Sequence, residues 1–284
     1  MCGLTGYLGY QWPGDEALPR LTRMTATLVH RGPDSDGHWL DADAGIALGH
    51  RRLAIVDLSP AGAQPMHSPS GRYVIAFNGE IYNHLDCRAA LAKTGANWRG
   101  HSDTETLLAG FEAWGIQGTI KRAVGMFAFA VWDRHERTLT LGRDRLGEKP
   151  LYYGWQGRGN NAVFLFGSEL KALQVHPAFA ASIDRDALCL YMRHMAVPSP
   201  HSIYQGISKL PPGSLLTVSR QVPDPLPVAY WSGVTVAEHG AAQPFAGTPA
   251  QAVDALEVLL KDAVRQQMVA DVPLGAFLSG GIDS

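Results

Sequence analysis

Cys2 stands where a nucleophile could be built. It follows Met1 at once and opens Gly3-Leu4-Thr5-Gly6-Tyr7-Leu8-Gly9-Tyr10, a Gly-punctuated apolar run that reads as a strand with no leader before it. A small residue in second place lets the initiator methionine be removed, which would leave a cysteine bearing both a thiol and a free α-amine. With an unperturbed pKa of roughly 7.7–8.0, that amine can act as the base for its own thiol near neutral pH. Many chains begin with a small residue by accident, so the reading of Cys2 depends on what the other residues offer.

Three further groups suit the same chemistry. Arg51 and Arg52 interrupt an apolar stretch over 45–57. One can decorate the surface while the other points into a pocket and grips a carboxylate with its planar fork. Asn78-Gly79-Glu80 ends a β-rich run over 72–77. Asn-Gly alone is a hairpin signal, but Ile81-Tyr82-Asn83 leads into a helical stretch through Leu91. The expected place is therefore a strand-to-helix junction, where the Asn amide and the Gly N–H can face an oxyanion. Ser102-Asp103-Thr104-Glu105 fits a capping box, with Asp103 in the first helical turn. There it either complements the helix dipole or reaches a ligand. A thiol with its own base, a guanidinium, an oxyanion pair and an acid complement a zwitterionic amino acid that carries an amide, and free glutamine fits.

The remaining elements must position these groups. Glu16 to Leu28 has helical apolar spacing, and His30-Arg31-Gly32-Pro33-Asp34-Ser35 breaks it as a polar turn. Leu107, Leu108, Phe111 and Trp114 continue a helical stripe after Ser102. Gly125 to Asp133 is apolar on both alternating faces, as in a strand buried between two layers. Strand-like runs follow over 137–143, 151–155 and 163–167, separated by Gly-containing turns such as 145–150. Strands grouped with blocks of helix indicate layered α+β rather than strict βαβ alternation. Beyond Pro198, Pro, Gly, Ser and Ala dominate, Leu210-Pro211-Pro212-Gly213 reads as a rigid turn, and 211–250 reads as a linker. Thr248-Pro249-Ala250-Gln251 starts a helix with Val253, Leu256, Leu260, Val264 and Met268 on one stripe. Pro273 to Leu278 then reads as a buried strand before the Gly-rich Ser279-Gly280-Gly281-Ile282-Asp283-Ser284.

Composition narrows the class. The chain has 284 residues, 46% of them hydrophobic and 18% charged, with a net charge of −2. That balance disfavours nucleic acid as a partner. No run approaches a membrane span, and no secretory signal opens the chain. The three cysteines, Cys2, Cys87 and Cys189, are odd in number and widely spaced, which argues against a disulfide framework and gives no zinc spacing. The expected setting is the cytoplasm, where a free thiol survives.

Taken in order, Cys2-Gly3, the 30–35 turn, Arg52-Leu53-Ala54-Ile55-Val56, Asn78-Gly79-Glu80-Ile81-Tyr82-Asn83, Ser102-Asp103-Thr104-Glu105 and Arg143-Asp144-Arg145-Leu146-Gly147 resemble glutamine-hydrolysing asparagine synthetase. The likeness spans nearly the whole chain and is less close to the glucosamine-phosphate and phosphoribosylamine branches of the amino-terminal-nucleophile amidotransferases. It implies a four-layer αββα sandwich over residues 2–210. A linker would follow over 211–250, and the first helix and strand of an incomplete α/β ATP-pyrophosphatase domain over 251–284.

The resemblance also implies roles. Cys2 would attack the glutamine amide while its α-amine moves the proton, and Asn78 and Gly79 would stabilise the oxyanion. Arg52 would hold the α-carboxylate, helped by the backbone of Leu53, Ala54, Ile55 and Val56, and Glu80 and Asp103 would hold the α-ammonium. Arg51 is expected at the surface, and His30 and His50 in structural roles. Leu278, Ser279, Gly280, Gly281, Asp283 and Ser284 would begin the pyrophosphate loop, whose Gly and Ser backbone N–H groups suit an anion nest. The glutaminase half would need no cofactor. ATP with Mg, and aspartate as acceptor, would belong to a complete enzyme with on the order of 200 further residues, a domain's worth. A homodimer is an expected assembly. Two alternatives stay open: a relative that amidates another carboxylate, such as a sugar acid, and a glutamine-binding fragment with little turnover.

Overall fold

The computed structural model describes residues 1–10, 12–95, 97–222 and 224–282. The chain opens with β1 (Gly3–Gly9), α1 (Ala17–Ala26), β2 (Ser35–Asp41), β3 (Ile46–Arg52), β4 (Met66–His67) and β5 (Tyr73–Ile81). Next come α2 (His84–Leu91), α3 (Asp103–Arg122), β6 (Gly125–Asp133), β7 (Thr138–Arg143), β8 (Tyr152–Gln156) and β9 (Val163–Gly167). The rest is α4 (Leu170–Gln174), α5 (Arg185–His194), β10 (Ser208–Lys209), β11 (Ser214–Val218), β12 (Val228–Ala229), α6 (Gly233–Ala242) and α7 (Pro249–Gln266).

Two six-stranded antiparallel sheets form the centre, in the orders β10-β8-β9-β1-β3-β2 and β12-β11-β7-β6-β5-β4. Leu4, Leu8 and Leu48 of the first sheet face Val74, Ala76, Ala130 and Trp132 of the second in one buried cluster. On the outer face of the first sheet, Leu21 and Met24 of α1 and Leu173 of α4 cover Tyr7, Ala47 and Leu165. On the outer face of the second, Leu107, Leu108 and Phe111 of α3 cover Ile75, Phe77 and Phe129. The layers run helix, sheet, sheet, helix, the αββα order that the resemblance implies. This is why β6 reads as apolar on both faces: like β1, it is covered twice.

Local signals place several elements well. Ser102 Oγ caps α3 by accepting from Glu105 N at 3.2 Å. The reciprocal half of the expected box is absent, because the Glu105 carboxylate accepts from Arg99 N at 2.7 Å and Gly100 N at 3.1 Å instead. Both halves are present at α7, between Thr248 and Gln251.

Three expectations are corrected. Asn78-Gly79 is not a turn between strand and helix but lies inside β5, whose register with β6 runs from Tyr73↔Asp133 to Ile81↔Gly125. A nine-residue ladder overrides a two-residue turn preference, and Gly79 is not among the glycines with positive φ. Second, the sandwich does not stop at 210. β11 pairs with β7 from Leu215↔Gly142 to Val218↔Leu139, and β12 pairs with β11, so the expected linker begins with sheet. Third, residues 273–278 form no strand among the described residues, and Phe277 and Leu278 are exposed. An apolar run becomes a buried strand only where neighbours accept its hydrogen bonds, and here none pairs with it.

His50 ties the two sheets together. It is buried on β3, and its Nε2 donates to Phe77 O of β5 at 2.9 Å, while Nδ1 has no partner among the described residues. Burial pushes its pKa down to about 4, so the folded protein holds it neutral. The unfolded chain then binds more protons between about pH 6.5 and 4, and stability falls as pH drops through that window. His176, also lowered to about 4 by burial, acts in the same direction. Replacing His50 by Gln is expected to flatten the acid loss of stability by up to about 1.4 kcal/mol per pH unit, read from urea unfolding at pH 7 and pH 4.5. An unchanged slope would show that His50 is not held neutral.

Candidate active site

The antiparallel register Gly3↔Arg51 between β1 and β3 carries Cys2 to the end of the first sheet, beside Arg52 and Leu53. Cys2 Sγ accepts from Leu53 N at 3.3 Å and lies 3.5 Å from Leu53 O. Arg31 holds the Cys2 carbonyl through Nε at 2.9 Å and is itself ion-paired with Glu169 at 2.8 Å. Burial raises the Cys2 thiol pKa, against the lowering effect of its hydrogen bond with Leu53. Burial lowers the pKa of the Met1 amine beside it, and the nearby Cys2 raises it.

β5 of the other sheet supplies the opposite wall. Side chains alternate along a strand, so Asn78 and Glu80 continue the inward row of Val74 and Ala76. They face a cavity of about 220 Å³ whose lining includes Cys2, Arg52, Leu53, Ile55, Val56, Asn78, Gly79, Glu80 and Asp103. Asn78 Nδ2 is buried and has no hydrogen-bond partner among the described residues. A buried amide donor without an acceptor is costly, and an acceptor entering the cavity would satisfy it.

Backbone groups of β5 reinforce this. Phe127 of β6 turns its N–H and carbonyl to Asp144, at 3.1 and 2.8 Å, so its partner Gly79 faces away from β6 along the open edge of β5. On that edge Phe77 N is taken by Gln64 Oε1 at 2.6 Å and Ile81 N by Asp103 Oδ2 at 2.8 Å. The N–H of Gly79 lies between them. A Cβ at Gly79 would fall 2.3 Å from Met126 O and 2.6 Å from Phe127 Cα. The glycine is therefore required by the closeness of β6 rather than by a turn.

Charge is arranged around these donors. The Arg52 guanidinium donates to Ser59 O at 3.3 Å and to Asp57 O, and no carboxylate pairs with it among the described residues. Arg51, expected at the surface, is half-buried, donating to Gly32 O at 2.9 Å and lying 3.4 Å from Asp36. Burial raises the Glu80 carboxyl above its ordinary value. Asp103 is pushed to about 6 by burial, although Ile81 N and Thr104 N each donate to it at 2.8 Å. With both its oxygens engaged, Asp103 leaves Glu80 the freer carboxylate.

Ala54 departs from the expected set. Its N–H donates to Asp34 Oδ2 at 2.8 Å, and it does not line the cavity. Leu278, Ser279, Gly280 and Gly281 lie on an exposed segment, with Gly281 N donating to Ser279 Oγ at 3.2 Å. Asp283 and Ser284 lie outside the described residues. Gln64 and Lys149 are among the wall residues that escaped the sequence reading. Gln64 bridges Phe77 N and Thr104 Oγ1. Lys149, 4% exposed, places its Nζ 3.1 Å from Met1 Sδ. Asp144 fixes Lys149 by accepting from the backbone N–H groups of Phe127, Leu146, Glu148 and Lys149. Neither role has a local pattern, since Gln64 meets Phe77 N and Thr104 Oγ1 and Lys149 Nζ meets Met1, all distant in the chain. Among the described residues, no group of three or more His, Cys, Asp or Glu is placed to hold a metal and no helix is long and apolar enough to cross a membrane.

Comparison with known proteins gives the following. A family model described as a glutamine amidotransferase domain matches residues 1–231, and one described as asparagine synthase matches residues 255–284. Asparagine synthetase (glutamine-hydrolyzing) 3 of Bacillus subtilis strain 168 is 38% identical over 288 residues, covering 100% of this chain and 44% of its own length. Asparagine synthetase (glutamine-hydrolyzing) 1 of the same organism is 37% identical over 290 residues, covering 100% of this chain and 43% of its own. The chain thus spans less than half the length of these curated relatives. The solved structure of glutamine phosphoribosylpyrophosphate amidotransferase from B. subtilis superposes with a TM-score of 0.59 at 18% identity, over 82% of this chain and 50% of that one. That likeness shows a shared fold.

The close approach at Gly79 yields a stability test. Gly79→Ala is expected to lower the unfolding free energy by about 1–3 kcal/mol in urea melts, because β6 backbone must shift to admit the methyl group. An unchanged midpoint would contradict the contact.

Proposed function

This chain belongs to the glutamine amidotransferase domain family, and from that premise we propose that it hydrolyses the side-chain amide of glutamine to glutamate and ammonia. It does so as the glutaminase half of an asparagine synthetase. The observation that carries the reading is one cavity holding a thiol, a buried amide donor without an acceptor, and a guanidinium without a carboxylate. Those features complement an amide carbonyl at one end of a substrate and a carboxylate at the other.

Removal of Met1 transfers the free amine to Cys2 and clears a residue from the cavity wall. The amine takes the thiol proton, and the sulfur attacks the amide carbon. Negative charge then develops on the carbonyl oxygen, to which Asn78 Nδ2 and the Gly79 N–H would donate, and preorganised donors of this kind are worth about 10²–10³ in rate each. The amine returns its proton to the leaving nitrogen, ammonia departs, and a thioester remains on Cys2. Water, activated by the same amine, hydrolyses the thioester to glutamate. Arg52 receives the α-carboxylate. Glu80 takes the α-ammonium, with Asp103 adding negative charge above about pH 6. None of these steps needs a cofactor. ATP with Mg and aspartate would be used by residues belonging to the asparagine synthase part, of which this chain carries a short stretch over 255–284. The cytoplasm is the compartment that keeps such a thiol reduced.

The experiment is glutamate release from glutamine by the full chain, with Met1 loss checked by intact mass. Cys2→Ala is expected to lower the rate by at least about 10³-fold. Equal release by both proteins, or none by the wild type, would overturn the reading.

A further inference from the structure

The wall that carries Arg52 is fastened by a residue from the far end of the chain. Asp271 follows α7 and packs against the turn over 55–59. Its N–H donates to Ile55 O at 2.9 Å, and its Oδ2 accepts from Asp57 N at 2.7 Å and lies 2.6 Å from His101 Nε2. Those bonds hold its carboxyl below the ordinary range.

Asp57 completes the clasp. Its buried carboxylate accepts from His101 N at 2.9 Å and Ser59 N at 3.2 Å. Its backbone has φ of 55°, a left-handed conformation uncommon for L residues and adopted most readily by Asn and Asp, here with the side chain bonded to Ser59 N. The carbonyl of this same residue, with that of Ser59, holds the Arg52 guanidinium. Ile55, gripped by Asp271 N, lines the cavity. The sequence of contacts therefore runs from the segment after α7, through a turn held in an uncommon conformation, to the cationic group of the site. Both outer members are at the surface, with side chains 40% exposed at Asp271 and 59% at His101.

We propose that Asp271 is a positioning residue for the glutamine site, holding the 55–59 turn and through it Arg52, and so coupling the segment after α7 to substrate affinity. The inference rests on the glutaminase reading above. Coupling of this kind is reciprocal: whatever moves the 269–272 segment alters glutamine binding, and bound glutamine steadies that segment. Asp271 touches no substrate, so its loss acts on affinity rather than on the bond-making steps.

The test compares wild type, Asp271→Ala, Asp271→Asn and Arg52→Gln in the full chain, with KM and kcat from glutamate release and glutamine affinity from calorimetry. Asp271→Ala is expected to raise KM and Kd about fivefold, the equivalent of one lost hydrogen bond, with kcat within about twofold. Asp271→Asn, which keeps an oxygen acceptor, is expected to restore both to within about twofold, and Arg52→Gln to raise them further. Wild-type affinity in Asp271→Ala, or a lower kcat at unchanged KM, overturns the inference and leaves the glutaminase reading standing. A wild-type chain that neither binds nor hydrolyses glutamine overturns both.

Discussion

The pairing of β5 with β6 is the constraint on which the site depends. Because Gly79 has no side chain, β6 lies close enough to fix the peptide groups of β5, and alternation along the strand decides which of them face outward. Three N–H groups meet the open edge. Gln64 takes the first, Asp103 takes the third, and the middle one, at Gly79, lies beside the unsatisfied amide of Asn78. A fold normally pairs its buried donors. Leaving two adjacent donors for an incoming oxygen is affordable only because the neighbouring positions are pinned, and Asp144 pins β6 from the other side.

The second sheet brings the reactive group to those donors. The β1–β3 register and the His50–Phe77 bridge set Cys2 across from β5. Around the thiol, Arg52 and Lys149 carry positive charge and Glu80 and Asp103 negative charge, all within one cavity. That pattern matches a ligand with charges of both signs and an uncharged amide at its far end. Burial raises both carboxyls and lowers Lys149, so the site holds these charges under desolvation, ready for a partner that completes them.

Much of this was legible in the sequence, for physical reasons. The buried strand over 125–133 and the helix opening at Ser102 are encoded by pattern and cap, which act locally. A cation inside the apolar run over 45–57 was legible, but its assignment to Arg52 rather than Arg51, like the layering, came through the resemblance. Other features were not. Asn78-Gly79 carries a turn preference that the β6 ladder overrides. The Pro- and Gly-rich stretch after 210 hides β11, whose pairing with β7 lies far back in the chain. The apolar run over 273–278 satisfies a strand pattern without neighbours to pair with. Gln64 and Asp271 act through hydrogen bonds to distant backbone groups and Lys149 reaches Met1 across the chain, and no periodicity announces such a contact.

The central claim is that Cys2 is the nucleophile of a site shaped for glutamine. The most direct measurement is intact-mass and peptide analysis after treatment with a diazoketone analogue of glutamine, with and without excess glutamine. The account predicts one equivalent of label on Cys2, none on Cys87 or Cys189, and protection by glutamine. Labelling at the other cysteines, or labelling of Cys2 that glutamine does not slow, would contradict it.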